Sequence, residues 1–279
     1  MIDDIWSVSA WELVRSALPV NDNGSRIITT TRIKAVAKSC STGIVEQMYE
    51  AKPLSDDDSQ RLLFKRLFCS SEDCPQDLKK VSSDILRKCG GLTLAIISVA
   101  GLLANRSQTV EVWVNALRSI AATVDKDDKI KRILLLSYFD LPHHLKSCLL
   151  YLSVFPEDSL MDCQQLILLW VAEGLIPGQD RESMEQLGRS YLNELINRSL
   201  VQPTKVGADG TTVKQCRVHD VILEFIVSKA VEDNFVTIWN GNVFSKNYSS
   251  NKIRRLSIQK DISARAEELA KTIKNAAHI

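Results

Sequence analysis

Apolar and polar positions follow two different rhythms along this chain, and the change falls near residue 52. In the first part, short β-branched runs alternate with helical patterns. Ser9 and Glu12 stand at the S-x-x-E spacing of a capping box. That spacing predicts a helix from about Ala10 that stops before Pro19. "NDNGS" (21–25) is a turn signal, and "RIITTTR" (26–32) predicts a short buried strand. "IKAVAKSC" (33–40) predicts a helix, and "GIVEQMYEAKPL" (43–54) a further short strand. Strand–helix–strand–helix–strand over 1–52 implies a parallel sheet. It is too small to stand alone as an α/β domain, and half of the sheet is expected to be missing.

From residue 53 the period becomes helical. Ser55 and Asp58 form a second capping signal, opening "SQRLLFKRLF". Leu78, Val81, Ile85 and Leu86 share one helical face, which Gly90-Gly91 should end. An apolar helix over Leu92–Ala104 follows, then "VEVWVNALRSI" (110–120). Residues 53–124 therefore predict a small helical bundle. "DKDDK" (125–129) is a charged linker and the expected boundary. Beyond it come helical patterns over 130–141, 141–155 and 162–175, and one near 183–200 with Met184, Leu187, Tyr191 and Leu195 on a stripe. "LVQPTKV", "GADG" and "TTVKQCRVH" (200–219) predict a β-hairpin, and "DVILEFIVSKAV" (220–231) a final helix. Helices followed by a hairpin is the winged-helix order, assigned to 125–239. Residues 240–252 are loop-like, "IRRLSIQ" (253–259) predicts a single strand, and the tail is helical and polar. The expected class is mostly α with a partial α/β segment. No internal repeat is present.

Composition narrows the functional classes. The 279 residues carry 35 Lys+Arg and 34 Asp+Glu, a net charge of +1, which argues against nucleic-acid binding through bulk charge. The seven cysteines include no C-x-x-C pair, so they read as reduced core residues of a cytoplasmic protein rather than zinc ligands. The most apolar stretch, "GLTLAIISVAGLLA" (91–104), is shorter than the ~20 residues of a membrane span. Acidic residues come too early for a secretory signal.

Three features carry candidate chemistry. Asp3-Asp4 could place a Mg²⁺ ligand and a water-orienting carboxylate at the carboxyl edge of a sheet. Alone, the pair fits a solvated turn better. Arg32 follows the strand "IITTT", on the edge a parallel neighbour would share with Asp3, where arginine can sense a terminal phosphate. A surface arginine is the plainer reading. His219-Asp220 sits between hairpin and final helix, with His219 able to donate to a phosphate and Asp220 suited as an N-cap. The helix assigned to groove entry, Cys163–Leu175, has no Lys or Arg, so DNA readout is not expected. His143-His144 reads as a helix start.

"MIDDIWS", "GSRIITTTR", "YEAKPLS", "CGGLTLAI", "CLLYLSVFPEDSLMDCQQLILLWVAEGLI" and "RVHD" occur in this succession. Over residues 1–235 the series resembles the NB-ARC domain of plant NLR disease-resistance proteins, the coiled-coil-type members best. The resemblance implies roles. Asp3 matches the Walker B residue directed to Mg²⁺, and Asp4 the catalytic one directed to water. Thr31 and Arg32 match the γ-phosphate-sensing segment. Gly91, Leu92 and Leu94 match the loop at the nucleotide base. His219 and Asp220 match the Met-His-Asp motif, whose histidine holds the ADP β-phosphate. It further implies a cytoplasmic ADP/ATP switch in pathogen defence. Its protein partners would be missing receptor domains, other NLR chains, and an effector or guarded host protein. A non-catalytic truncated regulator of full-length receptors is the alternative.

Four departures accompany the match. The phosphate-binding G-x-x-x-x-G-K-[ST] loop is absent, and the chain has no Gly-Lys dipeptide. Thr93 stands where the family has proline, and Val218 where it has methionine. The signalling coiled coil is missing, and leucine-rich repeats are at most begun by "IRRLSIQ" within 240–279. The expectation is an N-terminally truncated fragment, unable to hydrolyse ATP alone.

Overall fold

A computed structural model describes residues 1–18, 26–41, 48–68, 74–121, 129–178, 180–239 and 254–258. The expected turn at 21–25, linker at 125–128, loop at 240–252 and helical tail after 259 lie outside the described residues, as does Cys69. Two compact units divide the chain, Met1–Lys52 and Pro53–Ile279.

In the first unit, two extended segments run parallel. Ile2 bridges Thr29. The Ile2 amide donates to Ile28 O (2.8 Å), the Thr30 amide to Ile2 O (3.0 Å), and the Ile5 amide to Thr30 O (2.9 Å). Helices α1 (Val8–Ala17) and α2 (Lys34–Cys40) bring Trp11 and Val36 onto Ile5 of the first segment, a three-residue core. Two expectations change here. Helix α1 starts earlier, because Ser7 rather than Ser9 holds the extended cap conformation and accepts from the Ala10 amide at 3.0 Å. The strand around "RIITTTR" is not buried: Ile28 is 64% exposed, since two short helices cannot cover both faces of an extended segment. The further strand expected over 43–54 lies partly outside the described residues, and the described part, 48–54, has no ladder pairing.

The second unit begins with five helices: α3 (Asp56–Leu67), α4 (Gln76–Cys89), α5 (Thr93–Ala104), α6 (Val110–Ala121) and α7 (Lys129–Phe139). Ser55 caps α3 by accepting from the Asp58 amide. The α4 face of Leu78, Val81, Ile85 and Leu86 is buried. Gly90 ends α4 in the left-handed region (φ 62°), where a side chain would be strained. Helix α5, apolar all round, is buried on most of its surface, as such a helix must be. Among the described residues, no helix is long and apolar enough to cross a membrane.

A second core follows. Helix α8 (His143–Tyr151) runs into a 3₁₀ turn (Leu152–Val154). Then come β1 (Met161–Asp162), α9 (Cys163–Ala172), α10 (Arg181–Asn197), the hairpin β2 (Gln202–Val206) and β3 (Val213–Arg217), and α11 (Asp220–Glu232). The antiparallel sheet has the order β1-β3-β2, with Met161 opposite Cys216 and Gln202 opposite Arg217. Trp170 of α9 is fully buried and belongs to the same core as Leu145, Leu149, Leu195 and Ile222. The two cores share α7: Ile133 belongs to the first and Leu134 to the second. The strand expected in "IRRLSIQ" is β5 (Leu256–Ile258), and it pairs in parallel with β4 (Thr237–Trp239).

The order helix, strand, helix, helix, hairpin corrects the groove-entry assignment. The helix–turn–helix pair is α9 and α10, and its second member is α10, not the segment 163–175. Within α10, Glu182, Glu185 and Glu194 outnumber Arg181 and Arg189. Arg181 pairs with Glu185 at 2.7 Å. A balanced, self-paired face is poorly suited to phosphates.

Candidate functional site

The first set of candidates sits at the carboxyl ends of the two parallel segments in the first unit. Asp4 takes a left-handed backbone (φ 47°), a conformation that aspartate tolerates better than most residues. Its amide donates to Thr30 Oγ1 at 2.8 Å, and the Thr30 hydroxyl donates in turn to the Asp3 carboxylate. One hydroxyl thus ties both aspartates to the neighbouring segment. Arg32 reaches the Asp4 carboxylate at 3.3 Å, with both side chains largely exposed. An exposed pair of this kind contributes little stability. Thr31 faces elsewhere: its hydroxyl donates to Ile5 O at 2.6 Å and accepts from the Ile33 amide at 3.1 Å. Of the hydroxyls in "TTT", the one touching the aspartates is therefore Thr30, which the sequence reading passed over. Alternation was the available signal, because adjacent strand residues point to opposite faces.

Asp3 spends one carboxylate oxygen on Thr30 and leaves the other for a hard cation. Magnesium keeps several waters and needs only one or two protein carboxylates, so the donor set fits it when phosphate oxygens complete the shell. No cluster of three metal-ligating side chains occurs among the described residues.

The second set belongs to the second unit. Gly91 is left-handed (φ 71°) and packed so closely that a Cβ there would lie 2.5 Å from Leu54 O. Its carbonyl accepts from the Leu54 amide at 2.9 Å. The loop 90–92 is thereby held against the segment before α3, and it presents Leu92, 41% exposed, ahead of α5. Leu94 turns inward against the second core. His219 occupies the N-cap of α11, where Nδ1 accepts from the Val221 amide at 3.3 Å. The expected cap, Asp220, is instead the first helical residue, where a carboxylate favours the positive end of the helix. With Nδ1 accepting, the ring proton sits on Nε2, a donor left for a ligand. Val218 beneath it is buried.

Among the described residues, the cysteines join no cluster of three metal-ligating side chains. Cys74, Cys89, Cys148, Cys163 and Cys216 are buried, and Cys40 is half-buried. Burial pushes the Cys148 thiol up to about 12. Cys216 and Cys163 share a hydrogen bond that raises the first and lowers the second. His144 stacks on Tyr191 at 4.5 Å, a packing contact rather than a metal site.

The NB-ARC domain family matches residues 1–73, and the disease resistance protein winged helix domain matches residues 154–226. The chain is 40% identical over 272 residues to the disease resistance protein Pik-2 of Oryza sativa subsp. japonica, covering 95% of this chain and 26% of Pik-2. It is 38% identical to RPP13 of Arabidopsis thaliana over 260 residues, covering 91% of this chain and 30% of RPP13. It is 33% identical to rice RGA5, over 92% of this chain and 23% of that relative. The chain spans about a quarter of the length of these curated relatives.

Proposed function

We propose that this chain, which belongs to the plant disease resistance proteins carrying an NB-ARC domain, is part of an ADP/ATP-dependent switch acting in defence against pathogens. The observation that carries the proposal is the Asp3–Thr30–Asp4–Arg32 cluster at the carboxyl edge of parallel segments. Two carboxylates and a guanidinium at one sheet edge can hold Mg²⁺, orient a water and sense a terminal phosphate. In the second unit, Gly91, Leu92 and Leu94 are read as the base loop, and His219 as a donor to the ADP β-phosphate through Nε2. We read 1–52 as the C-terminal part of the nucleotide-binding domain, 53–124 as its helical companion and 125–239 as the winged helix. Residues 240–279 would lead toward leucine-rich repeats. The partners are proteins: further receptor domains, other chains of the family, and an effector or guarded host protein in the cytoplasm.

The switch works by population shift, since ADP and ATP favour different states only as far as their contacts differ. The test uses a receptor that carries these residues behind a phosphate-binding loop. His219→Ala should release ADP about ten-fold faster, the effect of losing one hydrogen bond to a charged group. An unchanged ADP off-rate would refute the role of His219. The 279 residues contain no Gly-Lys dipeptide, so the lysine-bearing phosphate cradle is not among them. ADP should therefore bind this chain by itself more weakly than ~1 mM in calorimetry, and micromolar affinity would contradict that.

A further inference from the structure

Three helices of the second unit end at one place. Arg106 lies just beyond α5, Asp140 just beyond α7 and Arg198 just beyond α10. The negative ends of three helix dipoles thus converge, and cations are the favourable residues there. Asp140 is the exception, a carboxylate at the unfavourable end of its own helix. What makes it tolerable is its partners. Its Oδ1 accepts from Arg106 at 2.6 Å, and its Oδ2 from Arg198 at 3.0 Å. The Arg198 side chain is only 10% exposed and also meets Glu194 at 3.0 Å.

These partners connect two different cores. Arg106 extends from α5, whose Ile96, Val99 and Leu103 build the helical core. Arg198 extends from α10, whose Leu192 and Leu195 build the winged-helix core. The seam between them contains a groove, bordered by Ala100, Gly101, Asn105, Ile196, Ser199 and Pro203. Only the missing side chain of Gly101 lets the backbones approach: a Cβ there would stand 2.3 Å from Arg198 O.

We propose that Asp140 is a positioning residue, a two-armed latch that holds the helical core to the winged-helix core by gripping Arg106 and Arg198 together. Removing its charge leaves Arg198 buried with one carboxylate instead of two. The seam should then open locally while each core stays folded. The inference stands on these contacts and not on nucleotide binding, so its failure would leave the reading of the nucleotide site untouched.

Native-state hydrogen exchange on the full chain, without nucleotide, tests it. In Asp140→Asn, amides at Ala100–Arg106 and Ile196–Val201 should exchange about ten-fold faster, while those beside the core residues Trp113 and Trp170 stay within about two-fold of wild type. Asp140→Glu should restore most of the protection. Arg106→Gln, which removes only the more exposed arm, should give a smaller effect at the same amides, and it serves if Asp140→Asn does not fold. Unchanged exchange at the seam would overturn the proposal. So would an equal acceleration throughout both cores, which would make Asp140 an ordinary contributor to global stability.

Discussion

At the scale of single residues, hydrogen bonds decide more here than charge does. The Thr30 hydroxyl, and not an ion pair, sets where Asp3 and Asp4 sit. The hairpin turn shows the same rule. Asp209 accepts from the amides of Thr211 (3.2 Å) and Thr212 (3.0 Å) and from the Thr212 hydroxyl. These bonds favour the charged form and hold its carboxyl down at about 2. Because the folded value lies below the ~4 of an unfolded aspartate, the turn's extra stability is present above pH ~4. It is lost as the pH falls through about 2. A carbon-13 titration should place the Asp209 carboxyl midpoint near 2, with Thr212 amide protection falling in the same window. A midpoint near ~4 would show that the turn does not hold the carboxylate.

At the scale of elements, caps and close approaches set the boundaries. His219 begins α11 through a ring nitrogen. His219→Asn, which keeps an acceptor, should leave stability nearly unchanged. His219→Ala should cost about 1 kcal/mol in urea denaturation. Equal stability of the two variants would mean the cap contributes nothing. Gly101 sets two preferences against each other. Alanine is better than glycine within a helix by about 1 kcal/mol. A Cβ at 101 would nevertheless press into the Arg198 backbone, which has no flexible end to move aside. Overpacking of this kind costs about 1–3 kcal/mol, so Gly101→Ala should lower stability rather than raise it. A higher melting temperature would show that the seam yields easily.

At the scale of the whole molecule, the second unit is two cores on one helix. Ile133 and Leu134, adjacent on α7, point into different clusters. Neither core can lose α7 without exposing the other. Ile85→Ala in one core and Leu145→Ala in the other should each cost about 2–5 kcal/mol. Both should shift a single cooperative transition, followed by the fluorescence of Trp113 and Trp170. Two separate transitions, each moved by one variant, would show that α7 does not couple the cores.

What could be read in the sequence was whatever depends on local periodicity and caps. The α4 face, Gly90 as a helix stop, Ser55 as a cap and the 202–217 hairpin all follow from spacing and backbone preference. The succession of motifs identified the family for the same reason, because each motif is a local pattern. Non-local contacts escaped. The two-residue strand β1 exists only because β3 offers it a partner, and β4 only because β5 does. The choice of Thr30 over Thr31 depends on which face of one segment meets the next. Asp140 carries no local signal of its role, since Arg106 and Arg198 lie 34 and 58 positions away. Local patterns determine which elements form. Where three helix ends meet, and which charges that meeting must balance, is decided only by packing.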